Sequence, residues 1–595
     1  MTQFIPPLRD IQFVQHELLG VEPKLSTLPH HAEVGRDLID QVVEEAGKFC
    51  SEVLAPTNLN GDHEGCQYVG DGVVTTPAGF KEAYEQFCAA GWPSLSCDVK
   101  YGGQGLPHVL QTAVQEMLNS ANVAWTMYPG LTHGAYACLV HYGAPALQEL
   151  YLPRLVSGEW TGTMCLTEPH SGTDLGLLRS RAEPNADGSY RISGTKIFIS
   201  AGEHDMAENI VQLVLARLPD APEGVRGISL FVVPKFIPNA DGTLGERNGY
   251  QCARIEEKMG IHGNSTCVLD FEGASGWLVG EPNKGLNAMF LMMNAARLGV
   301  GLQGLGLMEI AYQASVTYAR ERLQGRALTG PKNPEQSADP IIVHPDIRRM
   351  LLTQRAYLEG SRAFLYWVAL LIDEEEHTED DERRAQCEDL TALLTPIAKA
   401  FVTDNAFLGA NLALQIYGGS GYIQETGVEQ YVRDARITMI YEGTNGIQAL
   451  DLIGRKILMD QGAKLRRFGA LVTKLVEEEG TNDEMAEFIN PLAELGGKIE
   501  KLTMEIGMKA FQNQDEAGAA SVDYLRVIGH FVMSYFWARM ARVALDKQDS
   551  GDSFYTAKLA TARFYFARLY PETAGLIRTT RAGAKTLMDL DADLF

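Results

Sequence analysis

The chain has 595 residues, room for about four domains of ordinary size, and its 45% apolar and 21% charged residues are the composition of a folded globular protein. Its 76 acidic against 51 basic residues give a net charge of -25, which together with the lack of a basic stripe excludes a nucleic-acid binder. Nine cysteines scattered from Cys50 to Cys387 without CxxC spacing exclude a disulfide framework or a zinc site. With the opening MTQFIPPLRD, which lacks a secretory pattern, they point to a reducing, cytoplasmic setting.

No repeat at a fixed period is present. Residues 1–35 read as an N-terminal extension. From about 36 to 160 helical periodicity dominates, with Val42, Val43, Ala46, Phe49 and Cys50 recurring at helical intervals. The texture changes near Trp160, and 161–280 reads as a β-domain. Asn209 to Ala216 and Gly227 to Val233 are short apolar runs, and the turns Ala182 to Gly188 and Asn239 to Gly242 punctuate them.

From 281 to 458 the helical pattern returns. Met289 to Tyr312 is apolar but broken by Asn294, Arg297 and several glycines, so it reads as a buried helix and not a membrane span. Ile347, Met350, Leu351, Leu358, Leu365, Val368 and Ile372 share one helical face. The acidic run Asp373 to Glu382 reads as a solvated loop, and Thr395-Pro396 as an N-cap followed by a first-turn proline. Residues 459–595 form a further helical domain, with Tyr524, Leu525, Ile528, Val532, Tyr535 and Phe536 on one face. The predicted fold is therefore mostly α with a central β-domain.

Several segments could carry chemistry. Gly299 to Gly304 matches GxGxxG, but helix precedes it where a nucleotide fold needs a strand, so close helix–helix packing is the better account. The segment Cys165 to Asp174 (CLTEPHSGTD) offers small hydroxyls and backbone N–H groups to a planar heterocycle or a pyrophosphate, or is an ordinary strand-end turn. Lys196 to Gly202 is a strand that places Phe198 and Ser200 on one face. Gln415 to Gly421 is a glycine-rich loop after a helix. In Ile440 to Gly446, Glu442 lies between an aromatic and a glycine, as a desolvated base or as a helix cap.

Taken together and in this order, CLTEPHSGTD, KIFIS, QIYGGSG, YVRDAR and IYEGT resemble the acyl-CoA dehydrogenase family over roughly residues 30 to 455. The length and the helical tail resemble its large bacterial subgroup, which includes β-oxidation and methylmercaptopropionyl-CoA dehydrogenases. The resemblance implies an N-terminal helical domain, a middle β-domain and a C-terminal four-helix bundle, here with an appended helical domain, and FAD as cofactor. It implies that Met164, Leu166, Thr167, Gly172, Thr173, Phe198 and Ser200 contact FAD, with Thr167 on the pyrimidine edge and Ser200 near flavin N5. Arg322 and Gln324 match the segment that reaches the FAD of a neighbouring subunit. Gln415 and Gly419 match the adenosine contacts, and Thr444 and Gly446 a further FAD contact. Thr173, Asn294, Arg297 and Gly443 match substrate positions, although many relatives have Asp at the Asn294 position and Gly at the His170 position.

Glu442 falls at the family's catalytic base. The implied reaction is removal of a thioester α-proton by Glu442 with hydride transfer from the β-carbon to flavin N5, giving a trans-2-enoyl-CoA, the first step of β-oxidation. The implied partners are an acyl-CoA, an electron-transfer flavoprotein and a second copy of the chain in a homodimer. Medium-to-long straight acyl chains are the favoured substrate; Trp125, Met127 and Tyr128 are candidate lining residues. A 3-methylmercaptopropionyl thioester and an oxygen-using acyl-CoA oxidase on the same fold are the alternatives. A non-enzymatic acyl-CoA-binding scaffold would lack the base or the FAD motifs, and both are present.

Overall fold

The computed structural model describes residues 3–595, and the chain forms two compact units. One comprises Lys48–Leu106 and Ala121–Gly299; the other comprises the chain up to Gly47, Pro107–Ser120 and Val300–Phe595. The principal elements in chain order are helix α1 (His108–Tyr142); strands β1 (Trp160–Cys165), β2 (Arg181–Pro184), β3 (Tyr190–Ser200), β4 (Asn209–Arg217), β5 (Ile228–Pro234), β6 (Tyr250–Ile255) and β7 (Thr266–Val279); and then helices only. These are α2 (Gly285–Glu321), α3 (Pro345–His377), α4 (Asp381–Tyr417), α5 (Val428–Thr438), α6 (Asn445–Leu450), α7 (Ala463–Glu479), α8 (Ala486–Gln512), α9 (Asp515–Asp546) and α10 (Ser553–Phe564). The fold is thus mostly helical around a central β-domain, and among the described residues no helix is long and apolar enough to cross a membrane.

In the sheet-bearing unit, β5 pairs with both β4 and β7, so β7, β3, β2, β4 and β5 close into a small barrel, with β6 added to β7 and β1 parallel to β4. Closure explains why β4 and β5 read as unbroken apolar runs: both faces are covered. Along β4 the period of two sorts Val211, Leu213 and Leu215 into one core with Leu139, Tyr151 and Met292, and Val214 and Ala216 into another with Ile192, Phe231 and Phe271. Helix α1 is broken at Asn122 (φ -161°, ψ 95°), whose side chain accepts from Trp125 N (3.1 Å) and caps the second segment.

The helical unit packs through glycines. A Cβ on Gly301 would lie 2.9 Å from the Ala398 carbonyl oxygen, and one on Gly304 would lie 3.4 Å from Thr403 Cα, so α2 and α4 approach at the GxGxxG segment, as the packing reading expects. The appended helix α9 belongs to the same core. Gly529 faces the Phe401 ring of α4, and Trp537 donates to the Ala356 carbonyl of α3 (3.1 Å).

Two expectations fail here for physical reasons. The acidic run is not a solvated loop: α3 continues to His377, and Asp373 is fully buried, accepting from His108 N (2.6 Å) and Val109 N (3.0 Å) at the start of α1. A buried carboxylate there satisfies two N–H groups that the first helical turn leaves without partners. Thr395-Pro396 is not a helix start: it lies inside α4, whose N-cap is Asp380, accepting from Glu382 N (2.9 Å) and Arg383 N (3.2 Å). Thr395 turns its hydroxyl back to the Thr391 carbonyl (2.8 Å), and burial on the packed face holds the helix through a proline that would break an exposed one.

Candidate active site

In the sheet-bearing unit the candidate cofactor residues gather at the ends of β1 and β3. The segment after β1 is held by a buried ion pair. Lys196 Nζ lies 2.9 Å from Glu168 Oε1 and donates to the Leu166 carbonyl (3.1 Å). Glu168 also accepts from Arg179 N (2.7 Å), Ser180 N (3.1 Å) and the Ser180 hydroxyl (2.7 Å). Burial alone would raise this carboxyl, but Lys196 and the hydrogen bonds prevail and hold it below the usual carboxylate range. Ile197 N donates to the Thr167 carbonyl (2.9 Å), which ties the segment to β3.

Strand β3 carries one extra residue opposite β7, a bulge between Lys196 and Ile199. Within it Phe198 adopts a φ of +59° and is 60% exposed. A non-glycine residue in the left-handed region costs of order 1–3 kcal/mol, which the surrounding strands must offset. The bulge presents an aromatic face two residues from Ser200, whose carbonyl accepts from the Thr163 hydroxyl (2.7 Å). Met164 is buried in β1, Leu166 and Thr167 are half-buried, and Gly172 and Thr173 are exposed on the loop. No atom lies within 4 Å of where a Gly172 Cβ would stand. An open aromatic face, Thr and Ser hydroxyls at the strand ends and an uncovered glycine loop suit a flat, polar-edged ring system with a phosphate tail, so these residues fit FAD. On α2 in the same unit, Arg297 is buried and donates to Asn294 Oδ1 (3.2 Å).

Trp125 and Tyr128, two of the candidate lining residues, are fully buried. Trp125 is packed edge-on to Phe87 (5.2 Å) and donates to the Phe80 carbonyl (3.0 Å), while the Tyr128 hydroxyl accepts from Ser265 N (3.1 Å). Met127 is buried as well.

In the helical unit the turn between α5 and α6 carries Glu442. Glu442 (φ +56°) and Gly443 (φ +81°) are two successive left-handed residues, which a glycine tolerates and a glutamate does so only under constraint. The constraint is visible. Gln448 Nε2 reaches the carbonyls of Glu442 (3.3 Å) and Gly443 (3.2 Å), Asn445 N donates to the Met439 carbonyl (3.0 Å), and the Thr444 hydroxyl caps α6 at Ile447 N (3.3 Å). Asn445 is the anchor. It accepts from Lys399 Nζ (2.7 Å), and the two hydrogens of its amide are shared among Asp404 Oδ1 (2.6 Å), Thr403 Oγ1 (3.0 Å) and the Ala400 carbonyl (3.3 Å). Before the turn, the Tyr441 hydroxyl donates to Gln303 Oε1 on α2. Gly446 lies in the first turn of α6.

Arg322, Gln324, Gln415 and Gly419 are exposed at the far ends of α2 and α4, which are joined there by Tyr318 stacked on Tyr417 (4.0 Å). The segment after α2 is set by Asp339, which accepts from Ala327 N (2.9 Å), Lys332 N (2.9 Å) and Asn333 N (2.7 Å). These donors outweigh burial and hold its carboxyl well below the usual range. Sequence reading assigned no role to Asn445, Gln448, Lys399, Asp404, Gln303, Glu168 or Lys196. The one signal was a lysine inside an otherwise β-forming, half-buried strand.

Four family models match in succession: the acyl-CoA dehydrogenase N-terminal domain at residues 37–159, its middle domain at 163–274, its C-terminal domain at 283–458, and an acetyl-CoA dehydrogenase C-terminal-like domain at 468–591. The chain is 43% identical over 570 residues, 95% of its length and 96% of the relative's, to a 3-methylmercaptopropionyl-CoA dehydrogenase of Ruegeria pomeroyi. It is 33% identical, over the full length of both chains, to the broad-specificity linear acyl-CoA dehydrogenase FadE5 of Mycobacterium tuberculosis. Its fold is similar to that of an acyl-CoA dehydrogenase from Bacillus anthracis solved in complex with FAD (TM-score 0.74, 21% identity, 96% of this chain and 91% of that one).

Proposed function

This chain belongs to the acyl-CoA dehydrogenase family and uses FAD, and from that premise we propose that it oxidises an acyl-CoA thioester to a trans-2-enoyl-CoA, with Glu442 as the base and an electron-transfer flavoprotein as electron acceptor. The observation that carries the reading is the clamped left-handed turn, which fixes a carboxylate on a backbone that would otherwise relax. Bound FAD supplies the hydride acceptor. Glu442 takes the α-proton onto its carboxylate. The clamp's contribution is positional: holding base and substrate in reacting geometry removes entropy from the barrier. Thr167, Phe198 and Ser200 would hold the cofactor.

For the substrate, the 43% identity to a 3-methylmercaptopropionyl-CoA dehydrogenase supports a short thioether acyl group; medium-to-long straight chains are the second reading, supported by the likeness to FadE5. A homodimer is part of the same proposal. Along α2, roughly 28 Å of helix rise separates Gln303, beside the Glu442 turn, from the Arg322 end, and along α4 roughly 18 Å separates Thr403 from Gln415. Residues so far from the base serve a second FAD more readily than the first. The nine free thiols support a reducing, cytoplasmic setting.

The test is anaerobic titration of the flavin with 3-methylmercaptopropionyl-CoA and with straight-chain acyl-CoAs of graded length. Bleaching by one class identifies the substrate, and a flavin that no thioester bleaches overturns the reading. Glu442→Gln keeps the shape but removes the basic oxygen, so it is expected to retain FAD and lose about 10²–10⁴-fold in turnover.

A further inference from the structure

The helical unit contains a cavity of about 240 Å³ that the dehydrogenation reaction does not use. It is lined by the N-terminal segment (Lys24), α3 (Trp367), α4 (Arg383, Leu390), the appended α7 (Leu471, Lys474, Leu475, Glu478) and α9 (Tyr535, Arg539, Arg542). The site opens to solvent, but the rings on its wall do not: Trp367 is 5% and Tyr535 8% exposed.

Its charge is unusual for a chain of net charge -25: five cations and one acid line it. Three of the cations have partners. Arg383 is paired with Glu374, Arg542 with Glu478 (3.4 Å) and Glu479 (3.3 Å), and Lys474 with Glu478 (3.9 Å). The other two have no acidic partner among the described residues. Arg539 donates to the Leu18 carbonyl (2.9 Å) and lies over the Tyr535 ring (5.4 Å), and Lys24 makes neither an ion pair nor a side-chain hydrogen bond. Burial, together with Arg539 and Arg383, pulls the Lys24 ammonium below its ordinary range, and Glu374, the carboxylate that most offsets this, is already engaged by Arg383. Cations held together without counter-charge cost stability unless something offsets them, and this arrangement marks a binding site.

We propose that this cavity is a binding site for a small organic anion, whose carboxylate or phosphate head lies between Lys24 and Arg539 and whose apolar body lies against Trp367, Tyr535, Leu471 and Leu475. A guanidinium is suited to the head because its planar fork meets two oxygens at once, and the ammonium adds a point charge. The volume falls below the ~300 Å³ of drug-sized pockets, so the occupant is a small molecule. Because its walls come from the N-terminal segment, the catalytic bundle and the appended helices, the occupant would tie those three parts together.

The experiment uses the FAD-loaded enzyme and follows its thermal midpoint and tryptophan fluorescence during titration with hexanoate and with phenyl phosphate. Sodium chloride at matched ionic strength and the neutral hexanol and phenol are the controls. The expected result is a saturable rise in midpoint with at least one organic anion, absent with the neutral analogues and with chloride. In Lys24→Gln the anion-dependent rise is lost, while the ligand-free midpoint stays or rises because one uncompensated charge is gone. Lys24→Arg restores the response. If neither anion gives a saturable shift, if chloride gives the same shift, or if Lys24→Gln responds like the parent, the site is not an anion site. A Lys24→Gln protein that loses FAD or its helical circular dichroism also counts against the proposal, since Lys24 would then be structural.

Discussion

Replacing Asn445 by alanine tests whether the turn that carries Glu442 is held from beneath. The substitution deletes one acceptor, used by Lys399 Nζ at 2.7 Å, and donors to Asp404 Oδ1 at 2.6 Å, Thr403 Oγ1 at 3.0 Å and the Ala400 carbonyl at 3.3 Å. A buried polar group that loses its partner costs about 1–3 kcal/mol, more when it is charged. The amide has two hydrogens, so at most three of these bonds hold at once, and at the low end of that range their loss is at least about 3 kcal/mol. At about 2.1 cal/mol/K per residue, a chain of 595 residues shifts by roughly 0.8 °C per kcal/mol, so the thermal midpoint falls by at least about 2 °C. The kinetic effect is separate. A turn holding two left-handed residues relaxes when its anchor goes, and displacing a base by about 1 Å costs about 10²-fold in kcat. Flavin reduction in a stopped-flow spectrometer at saturating substrate reads that step, and calorimetry reads the midpoint. If Asn445→Ala keeps flavin reduction within about twofold of the parent, the clamp does not position the base.

The remaining predictions concern the buried charges. Lys196→Met leaves Glu168 as a buried carboxylate without its cation, so it is expected to destabilise by about 3–5 kcal/mol and to weaken FAD retention, whereas Lys196→Met with Glu168→Gln recovers part of the loss; additive single effects would refute a coupled pair. Burial raises Asp373 to about 7 from the ordinary carboxylate value, so the folded protein holds that proton more tightly than the unfolded chain. The stability this provides is complete below about pH 4 and is lost as pH rises to about 7. Asp373→Asn keeps one acceptor oxygen where Asp373 offers two to His108 N and Val109 N, which lowers stability by a pH-independent amount, and it cannot ionise. Its stability relative to the parent should therefore climb between about pH 4 and pH 7, measured by denaturant unfolding across that range, and a pH-independent difference would refute the assignment.

What could be read from the sequence was whatever local pattern and motif encode. The helix, β-domain and helix order follows from periods of 3.6 and 2 that persist over whole segments, and β4 and β5 stand out because both of their faces are buried. The GxGxxG segment was assigned to packing because its flanks are helical, and the Gly301 approach to Ala398 agrees. The family was legible because its motifs sit where chain order alone can find them.

Tertiary structure decided the rest, since the deciding partners are remote in sequence. Asp373 reads as part of a solvated acidic run until α1, more than 250 residues earlier in the chain, brings two unsatisfied N–H groups to it. Thr395-Pro396 carries a genuine cap signature, which packing on the buried face of α4 overrides. The Asn445 anchor joins residues some 40 apart, and the charged cavity joins Lys24 to Arg539. Local pattern tells which face of a helix is buried; only the packed chain shows which charge meets which, because desolvation and pairing are set by neighbours that sequence proximity does not bring together.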